Sequence, residues 1–427
     1  MRKRLIVLVV FVLSGSMLFA QQTQSLAALI QRAVAVSPQI KMLEMREKAA
    51  RENIKVGTQW SDPVVNLGLI NVPTNTFSLN QEAMTAKMVS VAQKIPYPGS
   101  LKAKMAVKSV DTSIIRQQIG DLKNQIASQV SEWYFGLQET RREIQLSNQS
   151  LELLEQIAQV TKKKYEVGSA SLQNIIQVEV QKTHLSDKIE ALTGKEQDLQ
   201  AQMNALLLWK EGTTIVTPRV DTILPALFSS DSLVQLAEQN RPALQQIRLY
   251  ENKAILQQKE ARFALLPKFS LKFQYSQRSF NSVTGMNYPD FLGVVAGVTI
   301  PIDYGGGKKA KIQRFRYEQS AYEQQYSSSL QILNQHFGKI TAQLRSLKTR
   351  AELLKSTLLP QAVQAYQAAM NDYQVGKIDF VNVINAENNI LNVKTELAKV
   401  RSDYYRNMAR LEFLSGKKLI QKQTDEK

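Results

Sequence analysis

The chain is written twice. Ser37-Pro38-Gln39-Ile40 answers to Arg241-Pro242-Ala243-Leu244 at an offset of 204, and Asp62-Pro63 answers to Leu266-Pro267 at the same offset. Ile95-Pro96 answers to Ile300-Pro301 at 205, and Tyr165-Glu166-Val167-Gly168 to Tyr373-Gln374-Val375-Gly376 at 208. Four pairs in order, with so little drift, define an internal repeat, and a repeat constrains architecture before any local propensity is considered. Each copy has one grammar: a short amphipathic helix (25–36; 231–239), a helix opened by proline (38–58; 242–264), and two alternating strands around a polar loop. A very long helix then runs to a Val-Gly turn and a second long helix runs back. The expected organisation is therefore 21–211 as the first repeat (strand hairpin about 63–95, helix reversal at 167–171) and 231–416 as the second (strand hairpin about 267–301, reversal at 375–379). A linker at 212–230, with Pro218 and Pro225, separates them, and 417–427 forms a tail.

Only 12 prolines and 18 glycines occur in 427 residues, so the elements must be long. From Gly99 to Tyr165 there is no proline, and a continuous helix there would reach roughly 100 Å at 1.5 Å per residue. The matching stretch from Gly307 to Tyr373 contains Pro360, which predicts a kink or a restart. The return helices carry heptads: Val178, Leu185, Leu192, Leu199 and Leu206, then Val383, Ile390, Leu397, Tyr404 and Leu411. Such spacing argues for packing along a narrow seam. The intervening positions are mixed (Lys182, Ile189, Glu196 and Met203; Glu387, Lys394, Arg401 and Met408), so the second seam is partly wet, as in the wall of a tube. The fold class is mostly α with a small β part.

Composition excludes several chemistries. With no cysteine there is no disulfide framework, thiolate metal site, cysteine nucleophile or lipid-modified N-terminal cysteine. Two isolated histidines, His184 and His336, fall within long helices and leave little room for an imidazole-based metal site. No paired carboxylates, phosphate loop or Ser/His/Asp arrangement stands out, so neither an enzyme nor a cofactor is expected. A net charge of +17 would suit nucleic acid, but the N-terminus argues against that partner. Met1-Arg2-Lys3-Arg4, the apolar run Leu5 to Phe19 and Ala20 read as a secretory signal peptide, 1–20. The run of about 15 residues is shorter than the ~20 a spanning helix needs.

The strands alternate. In Pro267 to Ser276, Phe269, Leu271, Phe273 and Tyr275 share one face, with Lys268, Ser270, Lys272, Gln274 and Ser276 on the other. Phe291 to Ile300 sets Leu292, Val294, Ala296, Val298 and Ile300 against Gly293, Gly297 and Thr299, beside Phe291 and Val295. The first repeat is weaker: Val65, Leu67 and Leu69 against Asn66 and Gly68, then Val89, Val91 and Ile95, with Gln93 as the exception. Such lengths and alternation suit a membrane β-barrel; the competing reading is a soluble four-stranded sheet lying on the helices. Four strands close no barrel and lipid tolerates no open edge, so several chains would contribute. Eight, twelve or sixteen strands would each satisfy the hydrogen bonding.

Three segments carry a family resemblance: Val298-Thr-Ile-Pro301-Ile-Asp-Tyr-Gly305-Gly306-Gly307, Tyr373 to Glu387 with its counterpart Tyr165 to Glu179, and Leu397-Ala398 through Leu411-Glu-Phe-Leu-Ser-Gly416. In their order and spacing the chain resembles the TolC-type outer-membrane efflux proteins across its whole mature length. The first hairpin (Trp60-Ser-Asp-Pro63, Ala83-Met84-Thr85, Lys94-Ile-Pro-Tyr-Pro-Gly99) looks closest to the heavy-metal efflux branch. The resemblance implies a homotrimer in the outer membrane, with a twelve-stranded barrel and an α-helical periplasmic tunnel. It implies a passive exit duct of a tripartite efflux system, whose partners are a periplasmic adaptor, an inner-membrane pump and outer-membrane lipid. An exit duct for type I protein secretion would use the same architecture. A periplasmic adaptor would show one hairpin rather than two full repeats, and a coiled-coil envelope scaffold would need no strand hairpins.

The residues expected to carry function follow from this frame. The tip or gate would comprise Tyr165, Gly168 and Asn174 in the first repeat, and Tyr373, Gly376, Asn382 and Asn385 in the second. Relatives place acidic side chains just after this glycine; the asparagines here imply a neutral ring, weaker cation attraction and mild pH sensitivity. Asp379 and Glu387 lie nearby without needing to face a lumen. Pro96, Gly99, Pro301, Gly305 and Gly306 form the strand-to-helix turns. Lys102, Lys104, Lys308, Lys309 and Lys311, with Lys108, Arg314 and Arg316, suit contacts to anionic lipid headgroups or a solvated helix face. Lys162-Lys163-Lys164 would meet an acidic adaptor surface or keep the tip soluble. Met84, Met88 and Met286 are soft donors in or beside loops, with no tight cluster.

Overall fold

The structure, a computed structural model, describes residues 25–217 and 228–419. The expected signal peptide, linker residues 218–227 and tail residues 420–427 lie outside the described residues. In chain order the elements are α1 (Leu26–Val36), α2 (Pro38–Thr58), β1 (Val64–Ile70), β2 (Ala86–Ile95), α3 (Ser100–Glu166), α4 (Leu172–Leu207), α5 (Ser230–Asn240), α6 (Pro242–Arg262), β3 (Lys268–Arg278), β4 (Phe291–Thr299), α7 (Gly307–Leu353), α8 (Leu359–Gln374) and α9 (Phe380–Ser415). A π-turn, Leu354–Leu358, joins α7 to α8.

Pro360 exerts its effect one turn early. In a regular α-turn its ring would collide with the carbonyl four residues back, and it offers no N–H. The chain widens instead: the Leu359 N–H reaches back to the Leu354 carbonyl, and Pro360 then stands in the first turn of α8. The expected kink is thus realised as a π-turn and a restart, whereas α3 runs 67 residues unbroken.

The described residues form two compact units. The helical unit comprises 25–36, 129–217 and 347–406. Its core is a set of apolar seams: Ile157, Val178, Phe380, Val383 and Ile384 in one, Leu146, Leu154, Leu185 and Leu391 in the next, and Leu354, Val393, Leu397 and Val400 in a third. The heptad of α4 holds at Val178, Leu185 and Leu192, but the buried positions then become Met203 and Leu207 rather than Leu199 and Leu206. A straight helix drifts about 20° per heptad, so a strict seven-residue stripe leaves the seam after a few turns. Glu196, at a wet position, pairs with Arg141 at 2.8 Å.

The sheet-bearing unit comprises 37–128, 228–346 and 407–419. Ser37 caps α2 through the Ile40 N–H, ahead of Pro38 in the first turn. Pro242 at the start of α6 packs on Gly120, where an added Cβ would stand 3.2 Å from its ring. The sheet is antiparallel in the order β1-β2-β3-β4, and β2 pairs with β3 from Ala86↔Arg278 to Ile95↔Phe269, joining the two repeats. The register sorts the side chains by polarity: Leu67, Val89, Tyr275 and Leu292 form one cross-strand row, and Val65, Val91, Phe273 and Val294 the next. Alternate rows are Asn66, Ser90, Gln274 and Gly293, then Gly68, Met88, Ser276 and Phe291. The polarity is inverted relative to a soluble sheet: Leu67 is 77% exposed while Ser90 is 1% exposed. At Gly297 the strands approach closely: a Cβ there would meet the Ser270 hydroxyl at 2.5 Å, and that hydroxyl would have to rotate away. Met88 lies within β2, so only Met84 and Met286 stand in loops. Among the described residues no helix is long and apolar enough to cross a membrane.

Candidate functional site at the helix reversals

Both reversals belong to the helical unit and are built alike. After α3, the Gly168 N–H donates to the Tyr165 carbonyl at 2.9 Å and the Ser169 N–H to the Lys164 carbonyl at 2.7 Å, with Gly168 at φ +75°. After α8, Gly376 donates to Tyr373 at 3.1 Å and Lys377 to Asp372 at 2.8 Å, with Gly376 at φ +78°. This nested pair of bonds closes a helix C-terminus through a left-handed residue, a conformation that suits glycine.

The return helices start differently. Ser171 caps α4: its hydroxyl accepts the Asn174 N–H at 3.3 Å and donates to the Asn174 side-chain oxygen at 3.1 Å. Asn174 therefore belongs to the cap of its own helix. At the second reversal Asp379 stands in the equivalent place, its carbonyl accepting the Asn382 N–H at 3.1 Å, while Asn382 and Asn385 are exposed on α9. The two tyrosines part company as well. Tyr165 is exposed, whereas Tyr373 is buried against Phe380, their rings 5.3 Å apart. Lys164 reaches over the Tyr373 ring at 3.9 Å and donates to its carbonyl at 3.0 Å, tying α3 to the end of α8.

One residue is more deeply engaged than its sequence position suggests. Glu387 is 5% exposed; its Oε1 accepts from the Ser150 hydroxyl at 2.6 Å and its Oε2 has no partner among the described residues. Burial pushes the carboxyl above the ordinary carboxylate range, opposed by the Ser150 hydrogen bond and the Lys394 charge. Tyr366 is raised by its own burial and by the Glu387 charge. One residue on, Asn388 accepts from the Gln181 amide at 3.0 Å. A titratable group thus sits in the seam above the second reversal, close to the exposed asparagines expected to give a neutral ring. The signal for it was a carboxylate at a heptad position.

In the sheet-bearing unit, Gly99 (φ +87°), Gly305 (φ +72°) and Gly306 (φ +71°) turn the strands into α3 and α7. Pro96 follows β2 directly and Pro301 lies two residues beyond β4. The Asp303 carboxylate accepts the Lys308 N–H at 2.8 Å and the Lys309 N–H at 3.2 Å, capping α7. Lys102, Lys104, Lys309 and Lys311 are exposed, while Lys308 is half-buried and donates to the Ile302 carbonyl at 3.2 Å. Ile300, Ile302 and Tyr304 are exposed beside them.

Comparison with known proteins matches this architecture. The model of the family described as outer membrane efflux protein matches residues 29–208 and 233–417. Outer membrane protein TolC of Escherichia coli (strain K12) is 25% identical over 201 residues, which span 44% of this chain and 40% of TolC. Among solved structures, the outer membrane protein VceC of Vibrio cholerae superposes with a TM-score of 0.75 at 16% identity, covering 92% of this chain and 96% of VceC. CusC superposes at 0.72 with 18% identity, covering 92% of each chain, and the Campylobacter jejuni CmeC outer membrane channel at 0.69 with 14% identity, covering 94% and 90%.

Proposed function

Because the chain belongs to the outer membrane efflux protein family, we propose that it is the passive exit duct of a tripartite efflux system, working as a homotrimer. Cargo enters from an inner-membrane pump through a periplasmic adaptor and leaves without chemical change. The observation that carries this reading is the inverted sheet: the rows of Leu67, Val89, Tyr275 and Leu292 and of Val65, Val91, Phe273 and Val294 are exposed while Ser90 and Ser276 in the alternate rows are buried, and among the described residues β1 and β4 each keep an unpaired edge. Lipid tolerates the first feature and forbids the second, so neighbouring copies must supply the missing pairings, and three copies of four strands make twelve.

The helix reversals form the periplasmic entrance in this reading. Asn382 and Asn385 face the constriction as neutral amides, and Asn174 holds α4 in place. The lysines after the hairpins, Lys102, Lys104, Lys308, Lys309 and Lys311, meet inner-leaflet phosphates at about 1 kcal/mol each.

Purified protein tested in planar bilayers, with its mass measured by native mass spectrometry, checks the whole reading. A trimer giving discrete conductance steps is expected. A water-soluble monomer without conductance overturns it. For the entrance, Asn382→Asp with Asn385→Asp should create cation selectivity that the parent lacks; strong selectivity already present in the parent, and lost on substituting either asparagine, contradicts the neutral ring.

A further inference from the structure

We propose that the helical unit holds a binding site for multivalent organic anions with an aromatic or apolar body, in the cavity between α3, the π-turn and α9. The cavity has a volume of about 420 Å³ and lies wholly within this unit. Five cations line it, Arg141, Arg142, Lys355, Lys394 and Arg401, against the single carboxylate of Glu139. That carboxylate is already engaged, by Arg406 at 2.7 Å and Lys195 at 3.8 Å. Arg141 is engaged too, with Glu196 at 2.8 Å and the Ile215 carbonyl at 2.6 Å. Lys355 and Lys394 are different: among the described residues neither forms an ion pair, and the carboxyl that feels the Lys394 charge is Glu387, two turns away on α9.

Like charges gathered around a concave, low-dielectric wall focus a positive potential that favours an anion. The floor decides which kind. Phe135 and Tyr405 stack there with ring centroids 5.1 Å apart at 18°, beside Leu359 and Leu397. A small inorganic ion would leave that surface wet, whereas a flat ring bearing several acidic groups covers it and reaches the rim. The π-turn places one of the two unpaired ammonium groups. Lys355 projects from it while the adjacent Leu354 is buried with Leu397 and Val400, so the backbone under Lys355 is anchored. Turns of this kind are frequent at functional sites. Lys102, Lys104, Lys309 and Lys311, by contrast, are exposed. The bound anion would link the π-turn to α3 and α9 and stabilise the unit by mass action. This inference does not rest on the exit-duct reading.

The test uses the full chain in an uncharged maltoside detergent, with hydroxypyrene trisulfonate as probe, fluorescence anisotropy as readout, and citrate or tripolyphosphate as competitor. Expected is saturable binding that weakens with salt and falls about tenfold or more in the Lys355→Gln, Lys394→Gln double variant, while Lys41→Gln with Lys48→Gln, two exposed lysines of α2, leaves it unchanged. Displacement by citrate identifies a carboxylate ligand, and displacement by tripolyphosphate a phosphate one. Lys355 is exposed, so the variants keep their fold, checked by helical circular dichroism. Absence of saturable binding, or equal loss in both double variants, overturns the proposal. So does protection of Lys355 and Lys394 from acetylation in the assembled protein without ligand, which would mean that a second copy covers the cavity.

Discussion

The two copies of the reversal motif, Tyr165–Glu179 and Tyr373–Glu387, share their spacing and their turn but not their surroundings. Leu172 is 55% exposed, and its counterpart Phe380 is 0% exposed. Ile176 is exposed where Ile384 is buried. Glu179 pairs with Lys182 on the surface, while Glu387 is sealed in a seam with Ser150. Local sequence dictates the hydrogen bonds of the turn, because glycine and the cap act within six residues. Burial depends on which helices lie alongside, and α9 is packed between neighbours whereas the start of α4 lies at the periphery of the single chain. Leu172, Ile176 and Val180 are left as exposed apolar residues on α4.

This contrast can be broken most directly in its core. Phe380→Ala should lower stability by about 3–5 kcal/mol, whereas Leu172→Ala should stay within about 0.5 kcal/mol, both read from thermal loss of the helical circular dichroism signal. Equal effects would mean that the assembled protein buries α4 as deeply as α9.

The carboxylates sharpen the comparison through pH. In the folded state Glu387 holds its proton above the ordinary value of 4.5. Below that value both states are protonated and the group costs nothing. As the pH rises from 4.5 toward the raised value, the unfolded chain releases its proton first, so stability falls across that window and remains lower above it. Glu387→Gln should remove this slope and raise the melting temperature at neutral pH, because the amide has no charge to bury. Melting temperatures measured across the window decide the matter. At the turns the difference should vanish: Gly168→Ala and Gly376→Ala should each cost about 1–2 kcal/mol, since both positions have positive φ. Unequal losses there would show that one turn is strained by its neighbours.

Much of the fold was legible in the chain. The offsets between the repeats, the proline-opened helices and the alternation of β3 all report interactions within a few residues, and the elements fall within a few residues of expectation. Pro360 announced a break but not its form, because a missing N–H is compatible with either an ended helix or a widened turn. Ser171 and Asn174 stand at the spacing of a helix cap, a signal obscured by reading Asn174 as part of a ring. Glu387 looked wet because a charge at a heptad position ordinarily is. The cationic cavity had no local signature: residues near 140, 355 and 400 meet there, and only the packing of three helix segments brings them together.

The two unfinished sheet edges carry a consequence for inheritance. In the proposed homotrimer each copy needs another to complete its sheet, so faulty subunits do not merely drop out of the pool. A variant that still reaches its siblings but offers a damaged edge spoils every assembly it joins. Such alleles should therefore be dominant, silencing more channels than their share of the protein made.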